Sequence, residues 1–558
     1  MNLIGNINAI PFRRFRGGGG VAPIPPFPSI PGMIARYSAS GLTNEQMAAN
    51  PVWVDKTGNG HDLQLKNLAW KGMSGVGGYE MNFNLWKNNV PSIPDISMST
   101  TTTSVSVSVG NSTYNNNLIY IHISNWDINK NHWLKVTSTY EDGDLAFIFY
   151  NDSNTKKIGL PANGYVNILA YPEFQGSYMY ISTISNKQGS FTIEQLPLYP
   201  GALVFDGVDD YGTCNNFPIL TKEKGYTVVA LRQWITRGKG ALGLVSNVKN
   251  WLHDGAFLLE YRNIQADHLN KPISFGAIGS EMDLPHILTY QTSKSCNGVS
   301  ITTGNFEGTD VLHVGKLAPT NVGTCINAAI WELVFLDHDA TEEELTKIKD
   351  YFVKTYPWLF PDQAWTVTGK TNEDEDRATI ANITGNGNDL VCLNLGFIEG
   401  SGYNEEGEYA GYLVTDGVDD KIVSSSFGMG KDFTIVGDWK FIDNKKSGTG
   451  LVKGSSFYIY NTMIGLDLYI NSGSVTNSLD GIKSINAACS DGRAYDRNWN
   501  EILANTGNVV GSGGMLEVSS SGGRFDRIAF KNLAIYPRIL SKDDCIKAYN
   551  YLQTLKAK

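Results

Sequence analysis

Apolar and polar residues alternate along six short runs in the first third of the chain: Ser104–Val109, Leu118–Ile123, Leu145–Tyr150, Val166–Tyr171, Tyr178–Ile184 and Phe191–Leu196. A period of two puts one face of each run in a core and the other in water, which is the mark of antiparallel strands. Turn clusters such as Asn151-Asp152-Ser153-Asn154 and Pro161-Ala162-Asn163-Gly164 separate the runs. Six or seven such strands predict a small β-sandwich over residues 73–199. Further on, Ile330–Leu336 reads as a strand, and the pattern then changes period. Thr341 and Glu344 form a capping box, in which hydroxyl and carboxylate satisfy free backbone amides, and Leu345, Ile348 and Phe352 follow as a helical apolar stripe.

The chain also repeats itself. Lys56-Thr57-Gly58-Asn59-Gly60-His61-Asp62-Leu63 returns as Ile383-Thr384-Gly385-Asn386-Gly387-Asn388-Asp389-Leu390, an offset of 327. Gly201-Ala202-Leu203-Val204-Phe205-Asp206-Gly207-Val208-Asp209-Asp210 returns as Gly411 to Asp420, an offset of 210. The difference, 327 − 210 = 117, is the extra length that the first copy carries between its motifs. Both copies close alike: Asn532–Tyr536 precedes Ser541-Lys542-Asp543-Asp544-Cys545, and Tyr551 matches Tyr351 at an offset of 200. Two copies of one module, the first interrupted by a domain-sized insertion, account for this spacing. The predicted organisation is an N-terminal arm (1–32), a first module (33–72 and 200–360), the insertion (73–199) and a second module (361–558).

The Gly-Asn-Gly-x-Asp-Leu motif, the L-V-x-D-G-V-D-D motif, the runs Tyr226-Thr227-Val228-Val229 and Phe433-Thr434-Ile435-Val436, and the strand-then-helix ending occur twice in the same order. Together they resemble the laminin-G-like, concanavalin-A-like jelly roll. The resemblance implies an all-β chain: two jelly-roll sandwiches, the first interrupted by the inserted sandwich, each with a short C-terminal helix, preceded by an extended arm. That family holds lectins, adhesion modules and glycoside hydrolases, so the fold leaves function open.

Composition agrees with a turn-rich β protein: 558 residues, 59 glycines, 27 tyrosines and only 18% charged residues. The formal net charge of −10 argues against nucleic acid as a main partner. Residues 1–32 stand apart, with Arg13, Arg14 and Arg16 and no acid, so they carry +3 against −13 for the rest. Leu3, Ile4, Ile7, Ile10, Phe12 and Phe15 accompany those arginines, followed by Gly17–Gly20 as a joint and by Pro23, Pro25, Pro26, Pro28 and Pro31 as a semi-rigid strut. A disordered tail is the plainer reading of such a segment; the apolar residues favour an arm that docks on another protein. The six cysteines show no C-x-x-C pair and read as reduced, mostly buried thiols. No apolar run spans a bilayer and no signal peptide opens the chain, so membrane insertion is not expected.

Candidate chemistry is sparse. Asp206, Asp209 and Asp210, with Asp416, Asp419 and Asp420, could present oxygens to calcium, but Asp and Gly at these positions also make a tight turn, the preferred reading. No other cofactor is expected. Glu281-Met282-Asp283-Leu284-Pro285-His286 approaches the E-x-D-x-x-E strand of related glucanases, yet it lacks the last Glu, and Pro285 would interrupt a central strand. No catalytic residues are assigned and the chain is read as a non-enzyme. Trp70, Trp86, Trp126, Trp133, Tyr171, Tyr178 and Tyr180 could stack on sugar rings, although most large aromatics in sandwiches are core; which residues bind glycan is left unassigned. The arm, the hinge and the stacked sandwiches resemble appendage or head-fibre proteins of tailed bacteriophages, and the Asn- and Tyr-rich style is similar to proteins of Bacteroides-infecting phages. That resemblance implies a virion location, anchoring to capsid or tail proteins through the arm, lectin-like binding of cell-surface glycan, and a homo-oligomer. A glycan depolymerase and a purely structural spacer are the alternatives.

Overall fold

The computed structural model describes residues 25–557 except 90, 92–94, 111–116, 123–131, 151–154, 169–177, 184–186, 222, 236–240, 249–257, 263–286, 301–307, 317–324, 429, 443–448, 455–456, 462–464, 471–477, 481–484, 504–513, 519 and 522–523. The docking-arm residues Leu3, Ile4, Ile7, Ile10, Phe12, Arg13, Arg14, Phe15 and Arg16 lie outside this set. The architecture is all-β, with three α-helices among the described residues: α1 (Asn44–Ala49), α2 (Glu342–Thr355) and α3 (Lys542–Gln553).

Each repeat is a two-sheet jelly roll. In the first, an eight-stranded antiparallel sheet centred on Thr227–Trp234 and Asn327–Leu336 faces a six-stranded sheet that runs from Leu258–Arg262 to Val52–Trp53. Trp53, Leu63, Phe205 and Phe335 pack between them. The second repeat pairs two eight-stranded sheets around Trp365, Leu413, Trp439 and Phe530. The duplication reaches the register. Thr227 faces Leu336 and a bulge follows Leu231; Thr434 faces Tyr536 and a bulge follows Asp438, four residues on in both cases (231 − 227 = 438 − 434 = 4). The capping box of α2 forms as the sequence predicts, and Ser541 caps α3 by accepting from Asp544 N–H at 3.1 Å.

The insertion holds more strands than the alternation predicts. Among the described residues ten strands form two five-stranded sheets between Lys87 and Gln195, around Phe83, Trp86, Phe147 and Phe191. Each of the six predicted runs overlaps a strand: Ser104–Val109 and Leu145–Tyr150 agree at both ends, Asn163–Ile168 begins three residues early, and the predicted positions 123, 169–171 and 184 lie outside the described residues. His132–Ser138, Thr155–Gly159, Ile96–Thr100 and Lys87–Asn88 are additional. Thr155–Gly159 is an edge strand exposed on nearly every residue, so its alternation carries no apolar signal. The boundary also moves. Gly75–Val76 pairs with Leu203 and Val204, which keeps the segment after Met73 in the first jelly roll. Two short connections then run side by side as a neck, with Leu198 N–H donating to Gly78 O at 3.0 Å and Tyr199 N–H to Gly77 O at 2.8 Å. The Gln195 amide clamps the neck by donating to Met81 O at 2.6 Å and accepting from Met81 N–H at 3.2 Å.

A second core joins all three sandwiches. Along Asn327–Leu336, Ile330, Leu333 and Phe335 point into the first jelly roll while Ala329, Trp331, Val334 and Leu336 point outward into a core built with α2 and α3. The second repeat sends Ala534 and Tyr536 into the same core. Trp331 is fully buried, donates its indole N–H to Pro200 O at 2.8 Å and meets Tyr551 of α3 edge-on at 6.2 Å. The insertion contributes Trp133, edge-on to Tyr549 at 5.3 Å and to Trp499 at 6.4 Å. These strands are buried on both faces, which is why Ile330–Leu336 reads as a nearly unbroken apolar run.

The exception in that run is Glu332, which is fully buried. Arg36 holds it with two bonds of 3.1 Å, and Tyr356 O–H donates to it at 2.8 Å. Burial pushes the Glu332 carboxyl above the usual range, and the Arg36 guanidinium pulls it back in part. Arg36 also lies over the rings of Phe27 at 4.2 Å and Tyr351 at 4.9 Å. The proline-rich strut is therefore not a free spacer over its described length: Phe27 packs on Tyr351 and Ile30 is buried in the shared core.

Five of the six cysteines, Cys214, Cys325, Cys392, Cys489 and Cys545, are buried and unbridged. Among the described residues no helix is long and apolar enough to cross a membrane.

Candidate functional site

Both duplicated motifs build the same loops twice. Asn59 donates its side-chain amide to Ile34 O at 2.8 Å, and Asn386 donates to Asp362 O at 2.7 Å. Asp55 N–H and Asn382 N–H each donate to the aspartate seven residues on, Asp62 and Asp389, at 2.8 Å. In the second motif Val208 N–H donates to Asp206 Oδ1 at 2.8 Å, and Asp206 N–H to Asp210 Oδ2 at 3.0 Å. The later copy repeats this with Val418 to Asp416 at 2.7 Å and Asp416 to Asp420 at 2.8 Å. Gly207 and Gly417 sit at φ of 81° and 75°, a conformation that favours glycine. Asn67 and Asn394 brace the turns from outside, each donating at 3.1 Å to the backbone carbonyl of Asp209 or Asp419.

One carboxylate oxygen from each of Asp206, Asp209 and Asp210 lies within 4.8 Å of the other two, and the same holds for Asp416, Asp419 and Asp420. Calcium takes six to eight oxygens around one open point. Here Asp206 Oδ1 and Asp210 Oδ2 already accept backbone amides, Asp210 Oδ1 is buried without a hydrogen-bond partner, and Asp210 and Asp420 are closed to solvent. Ser401 O–H donates to Asp420 Oδ2 at 2.8 Å, and Ser74 serves Asp210 in the first repeat. Burial raises the Asp210 carboxyl to about 6. In both copies these hydrogen bonds build a tight turn.

The segment Glu281–His286 lies outside the described residues, as do Trp126 and Tyr171. Trp86 is core of the insertion, Trp133 belongs to the shared core, and Trp70 is half-buried at φ 55° against the first jelly roll. The shared core leaves a cavity of about 50 Å³ lined by Glu80, Trp133, Gln195, Asn550 and Gln553, room for water but not for a sugar ring.

Tyr178 and Tyr180 have a different setting. They lie on the strand Tyr178–Thr183, at the centre of one five-stranded sheet of the insertion, and point away from the core. Tyr150 on Leu145–Tyr150 stands directly opposite Tyr178, and Tyr120 on Asn117–His122 stands opposite Tyr180. Tyr120 meets Tyr178 edge-on at 5.5 Å and Tyr180 at 6.1 Å, while Tyr178 and Tyr180 are 6.3 Å apart. Tyr150 is 53% exposed and Tyr178 42%. Burial, then the neighbouring Tyr178, Tyr120 and Tyr150, push the Tyr180 hydroxyl above its usual range. Four tyrosines thus form one open patch with apolar rings and polar hydroxyls. Tyr120 and Tyr150 escaped the sequence reading. The signal was present in the alternation Leu118-Ile119-Tyr120-Ile121 and Phe147-Ile148-Phe149-Tyr150, but it marks a shared face only once the strands are paired.

No family model matches the chain, and no curated protein matches it. Solved structures show weak likeness. Trypanosoma rangeli sialidase in complex with sialic acid is 10% identical, with 81% of this chain and 82% of that chain covered and a TM-score of 0.26. A mutant of the same sialidase displaying trans-sialidase activity is 10% identical, covering 85% and 86%, with a TM-score of 0.27. The N-terminal CBM22-1–CBM22-2 tandem domain of Paenibacillus barcinonensis Xyn10C is 10% identical, covering 50% and 96%, with a TM-score of 0.15. Values this low carry no argument about the activity of this chain.

Proposed function

We propose that this protein is a non-enzymatic display protein of a virion, which binds cell-surface glycan on the tyrosine face of the inserted sandwich. The observation that carries the binding reading is the patch of Tyr120, Tyr150, Tyr178 and Tyr180, exposed on a sheet whose other side is fully packed. Aromatic rings accept the apolar faces of sugars while phenol hydroxyls bond to sugar hydroxyls. The duplicated loops, by contrast, are engaged in holding the two jelly rolls. The basic and apolar arm supplies the anchor to capsid or tail proteins, and a homo-oligomer would multiply a weak sugar affinity by avidity.

The Y150A/Y178A double variant should lose binding on a glycan array by roughly tenfold or more, with the thermal midpoint unchanged because both side chains are exposed. Equal binding by the variant and the parent would sink the assignment. Reducing-end release from a bound polysaccharide would replace display by depolymerisation, and a folded chain that binds nothing would leave a structural spacer. The anchoring reading has its own test. Removing residues 1–24 should abolish incorporation into particles and leave the fold intact, whereas a cut at 32 would also strip the buried Ile30. Particles that still carry the truncated chain would refute the arm.

A further inference from the structure

We infer that the ligand of the tyrosine face is an anionic polysaccharide, its rings on the tyrosines and its acidic groups on a lysine at either end. The inference rests on the glycan reading above and narrows its ligand class. Charge is the first observation. The five strands of this sheet, Lys87–Asn88, Asn117–His122, Leu145–Tyr150, Thr155–Gly159 and Tyr178–Thr183, contain Lys87, Lys156 and Lys157 and no Asp or Glu. The chain as a whole carries −10, so a sheet with only positive side chains departs from its background.

Register is the second. Lys157 faces Ile148, Ile148 faces Tyr180, Tyr180 faces Tyr120, and Tyr120 faces Lys87. Directly opposed residues share a face, so these five form one row across the sheet, with an ammonium group at each edge and tyrosines between. At about 4.8 Å per strand the row spans roughly 19 Å, a length suited to a short stretch of extended polysaccharide. Lys87 and Lys157 are both exposed, and among the described residues neither makes an ion pair. Elsewhere in the insertion the lysines are matched: Lys135 with Glu194 at 3.3 Å, and Lys187 with Glu141 and Asp144 at 2.7 and 2.9 Å.

Aromatic rings beside cations also suit single-stranded nucleic acid. A phosphate backbone carries a charge on every nucleotide and needs a dense basic track. Two lysines at the ends of a row, with phenol hydroxyls between, match instead a chain bearing acidic groups at intervals and neutral hydroxyls elsewhere.

The test uses the full chain on immobilised bacterial capsular polysaccharides that contain uronic acids, each beside its carboxyl-reduced form, with oligo(dT) as a third probe. Binding to an acidic polysaccharide should weaken as salt rises, fail on the carboxyl-reduced form, and drop about tenfold or more in K87Q/K157Q. Binding that survives carboxyl reduction and the lysine changes, yet is lost in Y150A/Y178A, would overturn the anionic class and leave glycan binding standing. Preference for oligo(dT) would overturn it in favour of nucleic acid. Binding indifferent to both variants, or none at all, would overturn this inference and the glycan reading together.

Discussion

Replacing Trp331 with alanine should destabilise the whole molecule and divide its unfolding into separate steps. The indole is fully buried where the first jelly roll meets α3 of the second, against Tyr551 and Tyr199, and bonds to Pro200 O beside the neck of the insertion. Truncating a buried tryptophan to alanine costs about 3–5 kcal/mol, the lost transfer energy plus the cavity left behind. The cavity here would open in a core that three sandwiches share. Calorimetry should therefore show one main transition in the parent and at least two in Trp331→Ala, the first at lower temperature. A single, unshifted transition in the variant would mean that the sandwiches are not coupled through this residue.

The second large effect belongs to Arg36→Met. Methionine keeps much of the volume but leaves Glu332 buried without its cation, which costs about 3–5 kcal/mol at neutral pH. The pH dependence gives the mechanism away. Burial raises the Glu332 carboxyl above its ordinary value. Its contribution to stability is thus fully present below the ordinary glutamate range and is lost as pH rises through the raised folded value. Without Arg36 that folded value rises further, so the deficit of the variant should be large at pH 7 and shrink as the carboxyl is protonated toward pH 4. Denaturant midpoints measured across this range check the claim; a deficit constant with pH would assign the loss to the rings of Phe27 and Tyr351 instead.

The duplicated loops were legible in the sequence because their chemistry is local. Asp206 bonds to an amide two residues away and Asp210 to one four residues back, so residue type and spacing are enough. The braces were hidden, since Asn67 reaches a carbonyl 142 residues away and Asn394 one 25 away. Glu332 stood out as a charge in an apolar strand, but its partner lies 296 residues earlier. The tyrosine face was half legible. Tyr178 and Tyr180 share a strand and a parity, whereas Tyr120 and Tyr150 join them only through the pairing of three strands. The double role of Asn327–Leu336 was equally out of reach, because an apolar run does not say what covers each of its faces. The strut misled for a related reason: prolines announce stiffness, and only the fold shows that Phe27 and Ile30 lie down on α2 and the shared core.

The shared core also governs how a pull is transmitted. Trp133 enters it from the sandwich that bears the tyrosines, and Ile30 enters it from the root of the arm. A pull applied to that sandwich would thus reach residue 30 through packed side chains and a clamped neck. The three sandwiches would carry such a load as one body, from the tyrosine face to the last residues of the strut.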